Sequence, residues 1–239
     1  MNWVQGKEEL SSWDLRSLYY EALKPENSRM VVRSLASIGG FASFSDIEKT
    51  SGVRGSTLVY HLNRLIAYGL VSTPSKGAYE LVYKTPFCQP WGDQLEVAYF
   101  GLLGRRSERH EPEPEVARAL LAQNRLRVDT MHVVTSPDAL SEWSSDRLPY
   151  EWILCYEDEI IDVEKVVMKM EKPLVDLLKK SIVVLDCTSA TKPASLAFYQ
   201  LAEKYLVPLI YVYEERRELR WLLSVENIFK QLNVKTQVS

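Results

Sequence analysis

Hydrophobic positions recur at helical spacing through the first third of this chain. From Trp3 to Leu23 the apolar residues Trp13, Leu15, Leu18, Tyr19 and Ala22 predict a helix, with Ser11 or Ser12 as its N-cap and Pro25 just past its end. A second helix is predicted over Ser28 to Ile38, with Met30, Val31, Leu35 and Ile38 inward and Gly39-Gly40 able to take positive φ at its close. Ser43 and Ser45 can cap a short helix reaching Thr50 with Ile47 inward, and Ser51-Gly52-Val53 then turns the chain. A further helix follows from about Gly55 to Tyr68, carried by Leu58, Leu62, Leu65 and Ile66. There the period falls to two. Gly69 to Ser72 reads as extended, Pro74-Ser75-Lys76-Gly77 as a turn, and Ala78 to Tyr83 as a returning strand.

Beyond Thr85 to Gly92, which carries two prolines and a glycine, apolar runs alternate with amphipathic stretches. Strands are predicted over Leu95 to Phe100, Val128 to Val134, Trp152 to Tyr156, Ile182 to Asp186 and Val207 to Tyr213. Helices are predicted over Pro114 to Gln123, Asp162 to Lys179 and Ala194 to Tyr205, with residues 138 to 150 irregular or briefly helical. Such alternation predicts an α/β, Rossmann-like doubly wound sheet. Glu214 to Glu218 reads as the solvated start of a last helix, with Trp221, Leu222, Val225, Ile228, Phe229 and Leu232 on its apolar face. The expected organisation is a small N-terminal domain over residues 1–86, a linker over 87–94, and the α/β domain over 95–239.

Charge sharpens this division. The net charge is −3, yet residues 1–86 hold 10 Lys+Arg against 8 Asp+Glu, and the remainder 19 against 24. The first part is therefore the better candidate for meeting DNA. No apolar run approaches the roughly 18 residues that span a bilayer, and the start lacks a signal-peptide pattern, so a cytoplasmic protein with no membrane partner is expected. Cys88, Cys155 and Cys187 are too scattered for a disulfide framework or a CxxC site, and the three histidines form no metal-ligand spacing. No metal and no cofactor are expected. GxGxxG, GxxxxGK[ST] and GxSxG are all absent.

Two stretches carry candidate chemistry. In the first, burying the apolar side of the Gly55 to Tyr68 helix leaves Arg54, Ser56, Thr57, Tyr60, His61 and Arg64 able to reach base edges and phosphates, with Lys76 at the tip of the hairpin. The order helix, Gly-containing turn, helix and hairpin over residues 26 to 85, with Tyr60-His61-Leu62-Asn63-Arg64-Leu65 and Gly69-Leu70-Val71 in particular, resembles the winged helix-turn-helix of ArsR-like and MarR-like transcription regulators. That resemblance implies binding to double-stranded DNA.

In the second, loops leave the C-terminal ends of parallel strands, where open α/β sheets bind ligands. Gly101, Leu102, Leu103, Gly104, Arg105 and Arg106 follow the first strand, Thr135 and Ser136 the second, and Thr188, Ser189, Ala190, Thr191 and Lys192 the fourth. Glycine, hydroxyls, a helix N-terminus opened by Pro193 and cationic side chains suit an anion, most simply a phosphate. The run Asp186 to Ala197 resembles the signature of CARF domains, the CRISPR-associated Rossmann-like domains, in which an Asp or Asn is followed by x-Thr-Gly-Gly-Thr-Lys and a helix. Ser189-Ala190 stands where that family has its glycine pair. The resemblance implies a homodimer that binds a cyclic oligoadenylate across its two-fold axis, with Thr188, Ser189, Thr191 and Lys192 on phosphates and riboses and Gly101 to Arg106 covering the ring. Together the two resemblances describe a ligand-responsive transcription regulator in CRISPR-linked regulation. Two alternatives stand beside it. One is a metal-independent ring nuclease using Lys192 with Ser189 or Arg105; the other is a winged-helix regulator that senses another nucleotide.

Overall fold

The computed structural model describes residues 14–90, 95–106, 110–143, 146–189 and 191–234. Trp3, Ser11, Ser12 and Trp13 of the first predicted helix lie outside them, as do Trp91 to Gln94 of the expected linker. The chain divides into two compact units: residues 1–95 with 204–206 and 225–239, and residues 96–203 with 207–224.

The first unit begins with helix α1 (Leu15–Leu23), whose N-cap is Asp14; its carboxylate accepts from Ser17 N at 2.7 Å. Helix α2 (Glu26–Ser37) ends at Gly39 and Gly40, both at φ +81°, where Gly40 N donates to Leu35 O. Its apolar face is rotated from the predicted one. Val31, Val32, Leu35 and Ala36 are buried, whereas Met30 and Ile38 are 40% and 38% exposed. A short strand β1 (Phe41–Ser43), absent from the sequence reading, leads into α3 (Phe44–Ser51), which Ser43 and Asp46 close with a capping box. Helix α4 (Gly55–Ala67) and strands β2 (Val71–Ser75) and β3 (Ala78–Leu81) follow, and the three strands form an antiparallel sheet in the order β1-β3-β2.

Leu58, Leu62 and Leu65 of α4 share this core with Ile47 of α3 and Leu35 of α2, all at most 1% exposed. Each such side chain contributes about 1.5–3 kcal/mol by leaving water. Phe87 also belongs to the core. It packs 5.6 Å from Tyr19 and stacks at 5.9 Å on Phe229, so the expected linker opens with buried residues. Phe229 lies on the last helix, α10 (Val225–Gln231), which clusters with this unit and not with the α/β unit as expected.

The second unit is built on a six-stranded sheet. Its elements are β4 (Val97–Leu102), α5 (Glu113–Gln123), β5 (Thr130–Thr135), α6 (Pro137–Glu142), β6 (Glu151–Leu154), α7 (Glu157–Ile160), α8 (Val163–Leu178), β7 (Ile182–Asp186), α9 (Lys192–Tyr205), β8 (Leu209–Tyr213) and β9 (Glu218–Leu223). The strand order is β6-β5-β4-β7-β8-β9, parallel throughout except for β9. This is a doubly wound, Rossmann-like arrangement. One face carries Tyr99, Met131, Val133, Val184, Ile210 and Val212 against Val116, Leu120 and Leu121 of α5 and against Trp143. On the other, Phe100 stacks on Phe198 of α9 at 5.5 Å, and Val166, Met170, Leu174 and Leu178 give α8 one buried stripe.

Residues 218–223 correct the sequence reading. Leu219, Trp221 and Leu223 turn inward more than their neighbours Arg220 and Leu222, a period of two that makes a strand rather than the start of a helix. Arg217, in the left-handed region at φ +48°, closes the turn that brings β9 back antiparallel to β8. Among the described residues no helix is long and apolar enough to cross a membrane.

Candidate functional site

The chain leaves β4 toward β5 on one side and leaves β7 toward β8 on the other, so the loops after these adjacent strands diverge. A crevice opens at such a switch point in doubly wound sheets. Here it is a cleft of about 770 Å³ lined by Leu103, Gly104 and Arg105 after β4, Ser136 and Ala139 after β5, and Thr188, Ser189 and Thr191 after β7. Glu157, Asp158, Ile160 and Ile161, from the segment after β6, complete it. Sequence reasoning missed this last group. The signal was present: Glu157 follows a strand end just as the other loops do.

The floor is a buried relay. Register sets Gly101 of β4 beside Asp186 of β7, and Tyr99, two residues earlier on the same face, lays its ring across Gly101. A Cβ at Gly101 would fall on that ring, so the glycine makes room for Tyr99 rather than for a ligand. The phenol of Tyr99 donates to Asp186 Oδ2 at 2.7 Å. Asp186 Oδ1 accepts from Thr188 N at 2.8 Å and from the Thr188 hydroxyl, whose oxygen accepts in turn from Val212 N at 2.8 Å. Burial pushes the Asp186 carboxyl up to about 6, the hydrogen bonds from Thr188 and Tyr99 pulling the other way. Burial likewise raises the Tyr99 phenol well above its ordinary range, and the neighbouring Asp186 adds to it.

Several predicted ligand residues therefore hold the loops in place. Leu102 is a core residue, and Leu103, though it lines the cleft, is only 1% exposed. Thr135 is fully buried, and its hydroxyl donates to Leu103 O at 2.9 Å. Ser136 caps α6 by accepting from Ala139 N at 3.2 Å while lining the cleft. Gly104 O accepts the indole N–H of Trp143 at 3.0 Å. The Thr191 hydroxyl donates to Ile160 O and accepts from Ala194 N at 3.3 Å. Ser189 differs from all of these. It is 4% exposed, lines the cleft, and its hydroxyl has no hydrogen-bond partner among the described residues.

The cationic residues are also redistributed. Arg105 reaches the cleft, with Nη2 at 3.1 Å from Asp138 and 3.4 Å from Glu157. Arg106 turns away: its guanidinium pairs with Asp146 at 3.1 Å and lies over the Trp143 ring, and its backbone N–H donates to Glu142. Lys192 is exposed in the first turn of α9 and is not among the residues that line the cleft. Ala190 lies outside the described residues. Among the described lining residues, one guanidinium faces two carboxylates, so the expected cradle of two guanidiniums and an ammonium is not what the cleft contains. Among the described residues no group of three His, Cys, Asp or Glu could hold a metal ion, and Cys88, Cys155 and Cys187 are buried free thiols.

In the first unit, the outer side of α4 exposes Ser56, Thr57 and Tyr60, preceded by Arg54, and Lys76 is exposed in the β2–β3 turn. Asn63 joins this face one turn past Val59 and Tyr60; the sequence reading did not single it out. His61 and Arg64 do not. His61 follows Leu58 by three residues and precedes Leu65 by four, which sets it on the inner stripe. It is 7% exposed, its Nδ1 lies 3.0 Å from the Ser28 hydroxyl, and burial lowers its pKa, with Arg64 contributing. Arg64 donates to Glu21 O at 2.6 Å and covers the Tyr68 ring, tying α4 to α1.

No protein-family model matches the chain. No curated protein matches it either. Among solved structures it is similar to Can2 from Sulfobacillus thermosulfidooxidans in complex with cyclic tetra-adenylate, at 16% identity and a TM-score of 0.40, covering 54% of this chain and 35% of that one. It is also similar to Enterococcus italicus Csm6 bound to cyclic hexa-2′-fluoro-hexa-dAMP, at 10% identity and a TM-score of 0.42, covering 59% and 39%. A third, protein VC1899 from Vibrio cholerae, gives 10% identity, a TM-score of 0.40 and coverage of 55% and 34%. The chain thus spans well under half the length of each of these proteins.

Proposed function

We propose that the α/β unit is a CARF-type receptor for a cyclic oligoadenylate and that the first unit is a winged helix that reads DNA, the whole acting as a homodimeric, ligand-responsive transcription regulator. The observation that carries the ligand half is the Ser189 hydroxyl, buried and unpartnered at a cleft where the sheet order reverses. A buried polar group without a partner costs about 1–3 kcal/mol, and a ribose hydroxyl or phosphate oxygen would recover it when its entry shifts Ser189 enough to bring the covered hydroxyl into reach. The hydroxyl-bearing residues Ser136, Thr188 and Thr191 and the guanidinium of Arg105 line the same space. Support for the DNA half comes from the polar outer face of α4 and the exposed Lys76, set on a compact helical core with a hairpin.

In a homodimer two such helices would meet successive major grooves about 34 Å apart and read a palindromic operator. Regulation requires the ring to bind one arrangement of the dimer more tightly than another. Ring cleavage is less well supported, because Lys192, the cation suited to stabilising the developing charge, stands outside the cleft.

Calorimetric titration with rings of three, four and six adenylates tests the ligand half, two of those sizes being the ones held by Can2 and Csm6. Saturable binding of one ring at one per dimer is expected; no heat with any of them sinks it. Selection from a random duplex library, with and without the ring, tests the DNA half, for which an enriched palindrome is expected.

A further inference from the structure

Arg105 is the one cationic side chain among the described residues that line the cleft, and two carboxylates from different strand-end segments already hold it. Asp138 belongs to α6, after β5, and Glu157 to α7, after β6. Both pairs are solvent-exposed: Arg105 is 59% exposed, Asp138 59% and Glu157 73%. Exposed pairs are individually weak, and their partners exchange readily. Glu157 also lines the cleft itself, so an anion approaching Arg105 meets that carboxylate first.

We propose that Arg105 is a latched anion contact: a ligand phosphate takes its guanidinium only by displacing Glu157 and Asp138, and this exchange sets the affinity and selectivity of the cleft for anions. The proposal rests on the reading of the cleft as a nucleotide site, and it assigns Glu157 and Asp138 as selectivity residues that hold off anions able to offer the guanidinium only one oxygen. A phosphate diester in a ring is a good competitor because a guanidinium binds two of its oxygens in a fork, which an exposed carboxylate sharing the group with a second one does not match. Once displaced, Glu157 no longer ties the guanidinium to the segment after β6.

The test is a double-mutant cycle read by calorimetry, with cyclic tetra-adenylate and inorganic pyrophosphate as separate probes. Glu157→Gln should tighten binding by about threefold, as expected for loss of one exposed ion pair, and Arg105→Ala should weaken it by about tenfold. The decisive comparison is Glu157→Gln in the Arg105→Ala background. If the carboxylate acts through the latch, its removal there leaves affinity unchanged within about 1.5-fold. If it acts only as a negative charge near the cleft, the threefold gain persists and the latch is overturned. Pyrophosphate separates this result from the identity of the ligand: coupling with pyrophosphate but no binding of the ring keeps the latch and sinks the adenylate reading. Binding of neither probe sinks both. All three side chains are exposed, so an unchanged unfolding midpoint in each variant is expected and confirms that affinity alone has moved.

Discussion

The outer face of α4 and the mouth of the cleft expose polar groups by opposite routes. On α4 a helical period of 3.6 decides: residues on the stripe of Leu58, Leu62 and Leu65 go inward whatever their chemistry, and His61 goes with them. At the cleft no period operates, and hydrogen bonds decide. Thr188, Ser136 and Thr191 stand at the surface of the cavity, yet each hydroxyl also holds its own loop, and only Ser189 has no such duty. A polar residue on a helix is thus available or unavailable by position, whereas one in a strand-end loop is available only after the loop's own backbone groups have been satisfied.

The largest test of that contrast lies beneath the cleft. Gly101→Ala sets a methyl group into the ring of Tyr99, which cannot move without leaving Asp186. Overpacking costs about 1–3 kcal/mol, and the broken buried hydrogen bond adds to it, so a loss of about 3 kcal/mol in urea unfolding is expected. In a Tyr99→Val background the same methyl should cost far less, since the clash disappears. A Gly101→Ala protein as stable as the wild type would mean that the ring and the glycine are not coupled.

Much of the fold is legible in the sequence, and the exceptions have definite causes. The doubly wound sheet follows from apolar runs of five or six residues alternating with longer amphipathic ones, and the strand order then sets the C-terminal ends of β4 and β7 side by side. Strand β9 was not legible as a strand because Trp221, Leu222 and Val225 also fit one helical turn. Side-chain duty within the loops was the hidden part. Nothing in Gly101-Leu102-Leu103-Gly104 tells that the first glycine serves a tyrosine two residues back, nor does the spacing of Arg105 and Arg106 show that adjacent guanidiniums part to opposite neighbours.

The next effect in size is one of pH. The folded-state pKa of Asp186, about 6, lies above the roughly 3.9 of an unfolded aspartate, so the folded chain holds this proton more tightly. Its stabilising contribution is fully present below about pH 4 and is lost as pH rises through about 6, an effect of roughly 3 kcal/mol for this buried group. Asp186→Asn cannot titrate. Relative to the wild type, the variant should lose that decline between pH 4 and 7, a difference that cancels the other carboxylates and is measured by urea unfolding at each pH. Identical pH profiles would show that Asp186 stays ionised throughout.

On α4 the contrast predicts a split between stability and binding. Arg64→Ala removes the 2.6 Å hydrogen bond to Glu21 O and the cover over Tyr68, and a loss of about 1–2 kcal/mol is expected. Tyr60→Ala removes a side chain that is 61% exposed, so unfolding should hardly change while affinity for the selected DNA falls about tenfold. If Tyr60→Ala leaves DNA affinity intact, the outer face of α4 is not the reading surface.

The smallest effect carries the most information about the cleft. Ser189→Ala removes the hydroxyl that, among the described lining residues, holds no loop, and with it the cost of keeping that hydroxyl buried without a partner. The variant should therefore be slightly more stable than the wild type, by about 1 kcal/mol, while binding a cyclic oligoadenylate more weakly by a similar amount. Opposite signs in the two measurements are the mark of a group held for a ligand at the expense of the fold. Thr188→Val, by contrast, should lower both, because that hydroxyl donates to Asp186 and accepts from Val212 N. Lys192→Ala should move neither by more than about twofold in its equilibrium, since the ammonium stands in solvent outside the cavity. A Ser189→Ala protein that loses stability would show that its hydroxyl is bonded within the folded chain after all, and the distinction between loop-holding and ligand-facing hydroxyls would fail at the position that defines it.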